Sequence, residues 1–299
     1  MHLLVITIFS ALATALSASG WVPDPRWMIV GLAVAIAVVG VPHGGLDHWT
    51  GKVMLSDRFG AMWPLVFFPL YLAVAGFVVA GWVIAPWLTL VLFVLMSAWH
   101  FGTEDDVQHD LDAIALGGLV IWVPALFRSD EMSSLLNQIV PMDSSQFAMS
   151  IMPTIQVMSI ISLVYLLCRV LSPWDAYRLH VPVHHFVFLP LFIFTPILLS
   201  FGIYFCGWHS IRGLSKLARQ QNQTLTLFFV SLVPLSLGAL ALVAVGGWWL
   251  SSQMSLDGKM VQTLFVGLSA IAVPHLILHH PRWMRLSQYR IESLQGVAQ

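Results

Sequence analysis

Pro42-His43-Gly44-Gly45-Leu46-Asp47-His48-Trp49 begins at the end of an apolar run, 27–43, whose last residue is a histidine. Three other stretches also put a histidine late in an apolar run: Ser97-Ala98-Trp99-His100-Phe101-Gly102, Gly207-Trp208-His209-Ser210 and Val273-Pro274-His275-Leu276. Imidazole is costly to bury without a partner, and an ionisable side chain inside a membrane span is a functional hypothesis by default. Four of them in one chain point to a metal site within a bundle of membrane helices.

Composition points to the same solvent. The 299 residues are 58% hydrophobic and 9% charged, with a mean hydropathy of +0.84. A soluble domain carries about 25% charged residues. The net charge of −1 and the lack of any basic cluster give no reason to expect nucleic acid; the expected surroundings are the lipid bilayer. Cys168 and Cys206 lie in apolar runs without metal-ligand spacing and read as small core residues. The anomaly is twelve histidines against thirteen lysines plus arginines. His2 and His109 read as interfacial residues, a role that Trp and Tyr commonly fill.

Outward from the opening stretch, apolar runs cover 3–18, 27–43, 62–84, 86–100, 111–127 and 150–168. The first has no basic residue before it and reads as a retained span rather than a signal peptide. Residues 49–61 read as a polar loop, and 128–149 as the longest polar loop, with room for a short interfacial helix. The stretch 180–212 reads either as one long kinked helix or as two short spans meeting at Thr195-Pro196. Runs at 225–250 and 260–280 complete the series.

Charge arbitrates. Splitting 180–212 gives ten spans. With the N-terminus inside, Lys52, Arg58, Arg169, Arg178, Arg212, Lys216, Arg219, Arg282, Arg285 and Arg290 are cytoplasmic, and only Arg26, Arg128 and Lys259 lie outside. The positive-inside rule therefore favours the split. His43, His100, His209 and His275 then fall on four spans that run in the same direction. They are residues 17, 15, 14 and 16 of those spans, roughly 20–25 Å deep at helical rise and close to the cytoplasmic side. The expected architecture is an all-α polytopic helix bundle of about ten spans. It forms one transmembrane domain, 1–299, in the inner (plasma) membrane, with both termini cytoplasmic.

A layer of histidines without cysteine or carboxylate ligands suits a divalent first-row metal, and softness and affinity alone leave zinc, copper, nickel and iron open. An open coordination position in an apolar chamber fits iron handling dioxygen on a lipophilic substrate. Asp47, four residues after His43, is the expected acceptor for that histidine's other ring nitrogen, and Asp105 or Asp106 serves His100 in the same way.

At these residues the chain resembles the Brp/Blh family of bacterial and archaeal membrane β-carotene 15,15′-dioxygenases. The motifs are Pro42-His43-Gly44-Gly45-Leu46-Asp47-His48, Trp99-His100-Phe101-Gly102 followed by acids, Trp208-His209-Ser210-Ile211-Arg212, and Pro274-His275. The resemblance implies an Fe(II) enzyme that adds O₂ across the central double bond of β-carotene and releases two retinals, which a rhodopsin can take up. His43, His100 and His209 match the family's ligand positions. The family typically continues the third motif as Trp-His-Ser-x-Arg-His, where this chain has Gly213. The fourth ligand is then His275, or the site has three protein ligands. Trp99, Phe101, Tyr204, Phe205 and Trp208 are the expected substrate-lining aromatics, with Phe201 and Phe265 also near the motifs; His48 is expected outside the ligand set.

Two other readings stay open. His43-x₄-His48, His180-x₃-His184-His185 and His275-x₃-His279-His280 resemble the histidine boxes of membrane di-iron desaturases and hydroxylases. A metal-ion transporter would use interrupted helices meeting at mid-depth. A non-catalytic assembly factor for a retinal protein is a weaker third.

Overall fold

Proline and glycine placement punctuates an otherwise continuous series of apolar helices. The computed structural model describes residues 2–45, 47–103, 107, 109–140, 144–173, 182–250 and 256–278, with no strand among them. The chain opens with α1 (His2–Ala18), α2 (Pro25–Ala35), α3 (Val41–Gly44), α4 (Asp47–Phe59), α5 (Trp63–Ile84) and α6 (Pro86–Thr103). It continues with α7 (Asp110–Ile121), α8 (Pro124–Phe127), α9 (Ser129–Ile139) and α10 (Ser144–Val170). The last third holds α11 (Val183–Phe194), α12 (Ile197–Gly202), α13 (Ile211–Gln220), α14 (Leu225–Leu250) and α15 (Leu256–Leu278). Among the described residues, five helical segments are long and apolar enough to cross a membrane: Pro25–Ile84, Pro86–Thr103, Ala148–Val170, Leu225–Gly246 and Met260–Leu278.

The run 180–212 is divided at the expected place. Thr195 and Pro196 are extended, as the residue before a proline tends to be, and they separate α11 from α12. Breaking a helix leaves carbonyls and amides to be satisfied. Arg128 supplies the first, its Nη1 donating to the Phe194 carbonyl at 3.3 Å. Glu131 supplies the second, accepting from the Ile197 amide at 2.7 Å. The two side chains also pair with each other at 2.5 Å.

Several expectations need correction. Residues 49–61 are not a loop: α4 covers most of them, with Asp47 in its first turn and Arg58 in its last, matching the helix dipole. The run 111–127 is interrupted, because Pro124 cannot continue the ladder of α7 and instead starts α8. The stretch 128–149 is not a free polar loop. Met132, Leu135, Leu136 and Ile139 of α9 form an apolar stripe that is buried in the core. Cys206 is buried as expected, but Cys168 is exposed on α10. His2 does more than mark an interface: its Nε2 lies 2.8 Å from the Gly207 carbonyl, and its ring stacks on Trp208 at 5.2 Å.

One apolar cluster runs from Ile6 on α1 to Val266 on α15. Its closest helix pair is α6 with α7. A Cβ added at Gly102 would overlap the Ala113 carbonyl, and one at Gly117 would overlap the Ala98 carbonyl. Ala98-x₃-Gly102 and Ala113-x₃-Gly117 thus form a reciprocal small-residue seam, the arrangement that lets membrane helices approach to backbone contact. Asp112, 1% exposed, ties α7 to α10. It accepts from Arg169 Nη2 at 2.6 Å and Nε at 2.9 Å, and from the Tyr165 hydroxyl at 2.9 Å.

Overpacking a fitted core costs about 1–3 kcal/mol, and here the added atoms meet backbone, which cannot rotate away. Gly102→Val and Gly117→Val are each expected to lower the melting temperature in detergent, whereas Gly31→Val, whose Cβ meets nothing within 4 Å, leaves it unchanged. Equal melting of all three proteins would show that the seam does not hold this helix pair.

Candidate metal centre

Each of the four histidines follows a residue that shapes its helix. Pro42 has no amide proton, and just before it the helix widens into a π-turn, Ile36–Gly40, in which the Val41 amide reaches back to the Ile36 carbonyl. A second π-segment, Ile203–Ser210, carries His209. Such turns add a residue to the helical circuit and re-aim side chains, and they recur at functional sites. The two π-segments pack together because position 40 is glycine: a Cβ there would lie 2.9 Å from Phe205 Cε1. His100 lies two residues from both Ala98 and Gly102, on the opposite face of α6, so the seam with α7 turns it toward the other histidines. His275 follows Pro274 within α15.

The fold brings these four residues together. His43 lies against His209 with ring centroids 4.9 Å apart and against His275 at 5.0 Å. His100 lies against His209 and His275, both at 5.3 Å. All four are buried, with exposures of 2–5%. Imidazoles bound to one ion through bonds of about 2.1 Å have neighbouring ring centres roughly 5 Å apart, so the spacing fits a shared metal. Among the described residues, no group of three or more His, Cys, Asp or Glu side chains is already drawn to metal-binding distance. Four imidazoles are a donor type that first-row metals accept, and their rings are packed edge-on or tilted against one another.

Asp47 was expected beside His43, but its carboxylate accepts from His275, with Nδ1 2.7 Å from Oδ1. The other oxygen, Oδ2, accepts from the Tyr71 hydroxyl at 2.9 Å, and Tyr71 also lies 2.9 Å from the Ile271 carbonyl. An ionised carboxylate can only accept, so His275 donates from Nδ1, and in the neutral ring that tautomer leaves the Nε2 lone pair for the cluster. Asp105 and Asp106 lie outside the described residues. His48 Nδ1 is 2.6 Å from the Gly45 carbonyl.

Gly213 proves to be part of the packing. A Cβ there would overlap His43 Cε1 and lie 2.7 Å from His43 Nδ1. The imidazole of His43 occupies the space that a side chain at position 213 would need.

The four histidines line a cavity of about 150 Å³ with Phe93, Phe101, Phe201, Phe205 and Phe265 among its walls. Of the five expected aromatics, Phe101 and Phe205 face it. Trp99 turns away, donating to Asp110 at 2.9 Å. Tyr204 packs between Phe101 and Phe188. Trp208 stacks on His2 and packs at a tilt against His184. The α9 stripe of Met132, Leu135, Leu136 and Ile139 closes one side, and sequence reasoning missed it. Its spacing of three, four and seven residues was the available signal. The desaturase grouping draws no support from this geometry. His184 and His185 lie against each other at 4.5 Å beside Trp208, while His180, His279 and His280 fall outside the described residues.

No solved structure matches the chain. A curated β-carotene 15,15′-dioxygenase from an uncultured marine bacterium, 66A03, is 28% identical over 272 residues, covering 82% of this chain and 91% of that protein. The family description β-carotene 15,15′-dioxygenase matches residues 34–284, a span that contains all four clustered histidines. The chain therefore belongs to the β-carotene 15,15′-dioxygenase family of oxidoreductases.

Proposed function

We propose that this protein is an iron(II)-dependent membrane dioxygenase that cleaves the central double bond of β-carotene, or of a related carotenoid, to retinal. The observation that carries this reading is the packing of four buried imidazoles, with ring centres 4.9–5.3 Å apart, at the wall of an apolar, phenylalanine-rich cavity. His43, His100, His209 and His275 would hold the metal. When bound, iron supplies activation of O₂. Both oxygen atoms end in the two aldehydes, so the reaction needs no electron donor, unlike a desaturation. Asp47 and Tyr71 set the His275 tautomer, and the phenylalanines exclude water and hold the polyene against the site. The protein is proposed to sit in the cytoplasmic membrane with ten spans and both termini inside.

Expression in β-carotene-accumulating cells tests the reaction. The expected result is bleaching with retinal in the extract; intact β-carotene would overturn the assignment for that substrate.

Metal content tests the ligand set. His43→Ala, His100→Ala, His209→Ala and His275→Ala are each expected to purify without stoichiometric iron. Loss of an outer partner typically costs about 10- to 100-fold in affinity or activity, so Asp47→Asn should weaken iron binding by that order. Full iron retention in any histidine variant would remove that residue from the set.

Position 213 offers a sharper test of how the site differs from the family pattern. Restoring the family residue with Gly213→His is expected to displace His43 and to lower iron content and activity. A gain in either would mean that His43 yields its place to the new ligand.

A further inference from the structure

A second and larger cavity lies on the other side of α15 from the histidines. It has a volume of about 850 Å³ and runs between α5, α14 and α15, with Gly44, Asp47, His48 and Tyr71 at its inner end. The histidine cavity, at about 150 Å³, has no room for a whole carotenoid. Gly44 and Ile271 line both, and the partition between them is thin. A Cβ at Gly44 would stand 3.3 Å from Ile271 Cγ2, so glycine keeps this junction narrow-walled.

The walls of the larger cavity suit a flat, stiff hydrocarbon. They combine bulky apolar residues such as Phe68, Leu72 and Leu235 with small ones, among them Gly76, Gly238 and Ala239. Cβ atoms added at Gly76 and Gly238 meet nothing within 4 Å. On α14 the lining extends from Pro234 to Gly246, about 18 Å at helical rise, the scale of one ring-capped half of a carotenoid. Leu72 and Leu242 on the rim are 52% and 61% exposed, so the groove opens sideways on an apolar surface. Its inner polar groups are already engaged with the metal centre, because Tyr71 and Asp47 form the relay to His275.

We infer that this groove between α5, α14 and α15 receives one arm of the polyene substrate and passes its central double bond to the histidines at the Gly44–Ile271 junction. The inference rests on the carotenoid reading above and specifies how the long substrate is held. Central cleavage requires an arm on each side of the reacting bond; the groove takes one, and the phenylalanine-lined cavity begins the path of the other.

Bulk in the groove should therefore discriminate by substrate length. The test compares the full-length protein with the double variant Gly76→Phe/Gly238→Phe and with Gly31→Phe, whose Cβ also meets nothing within 4 Å and lies outside the groove. Each is assayed on β-carotene and on an apocarotenal truncated on one side. The groove variant is expected to turn over β-carotene about 10-fold or more slowly, chiefly through a raised KM. It should process the truncated substrate within about 2-fold of the parent, with its short side in the groove, and Gly31→Phe should match the parent on both. Undiminished β-carotene turnover, or equal loss on both substrates, would overturn the groove assignment. Failure of the parent protein to form retinal would instead count against the proposed reaction. The groove is then read from pigment that co-purifies from carotenoid-accumulating cells. Pigment lost only in the groove variant supports the site, and equal pigment in both proteins overturns it.

Discussion

Burying four imidazoles together in an apolar core is the constraint on which the rest of this fold depends. Polar groups taken from water without compensation cost several kcal/mol each in hydrocarbon-like surroundings, so the helices must deliver the rings to one another at fixed distances. The chain does this with local departures from the ideal helix. The two π-turns, the prolines before His43 and His275, and the glycines at 40 and 102 all lie within a few residues of a clustered histidine. Each is weak as a helix former. Together they place four rings from four separate segments within about one ring's width of each other.

The same constraint explains the polar network. His275 needs a defined tautomer, and the group that sets it, Asp47, lies 228 residues earlier in the chain. Asp47 is 2% exposed and is held in turn by Tyr71. Two remote segments are thus joined by a buried, directional contact that a purely apolar interface could not supply. The break at Thr195-Pro196 is handled in a comparable way, with Arg128 and Glu131 satisfying the carbonyl and amide that the break exposes.

How much of this was legible follows from the range of each signal. The four histidines could be named from the chain because each lies late in an apolar run at a similar depth, and depth is a local property of one span. The partner of Asp47 could not: the i, i+4 spacing suggested His43, and only packing between distant segments gives it to His275. Residues 49–61 read as a loop on polarity alone, although Asp47 in the first turn and Arg58 in the last are helix-terminus signals. The α9 stripe was hidden by the polar residues around it. Gly213 read as a missing ligand, and the fold shows the positive reason for it, since His43 fills that space.

The least legible element is α15, and the reason is physical. It is apolar nearly all round, so its sequence carries no facial bias for a periodicity argument to find. The fold nevertheless gives it two working faces. Phe265, Leu268, Ala272 and His275 turn to the histidine cavity, while Gln262, Thr263, Val266, Gly267 and Ala270 turn to the larger groove. A helix that separates two cavities must be fixed in rotation, because a small turn about its axis would move His275 out of the cluster. Three contacts resist that turn at different points. Ser269 accepts from Trp82 at 2.7 Å, a Cβ at Gly267 would lie 2.5 Å from Val243 Cγ1, and His275 is held by Asp47. The rotational setting of α15 is therefore determined by its neighbours, and with it the position of His275 in the histidine cluster.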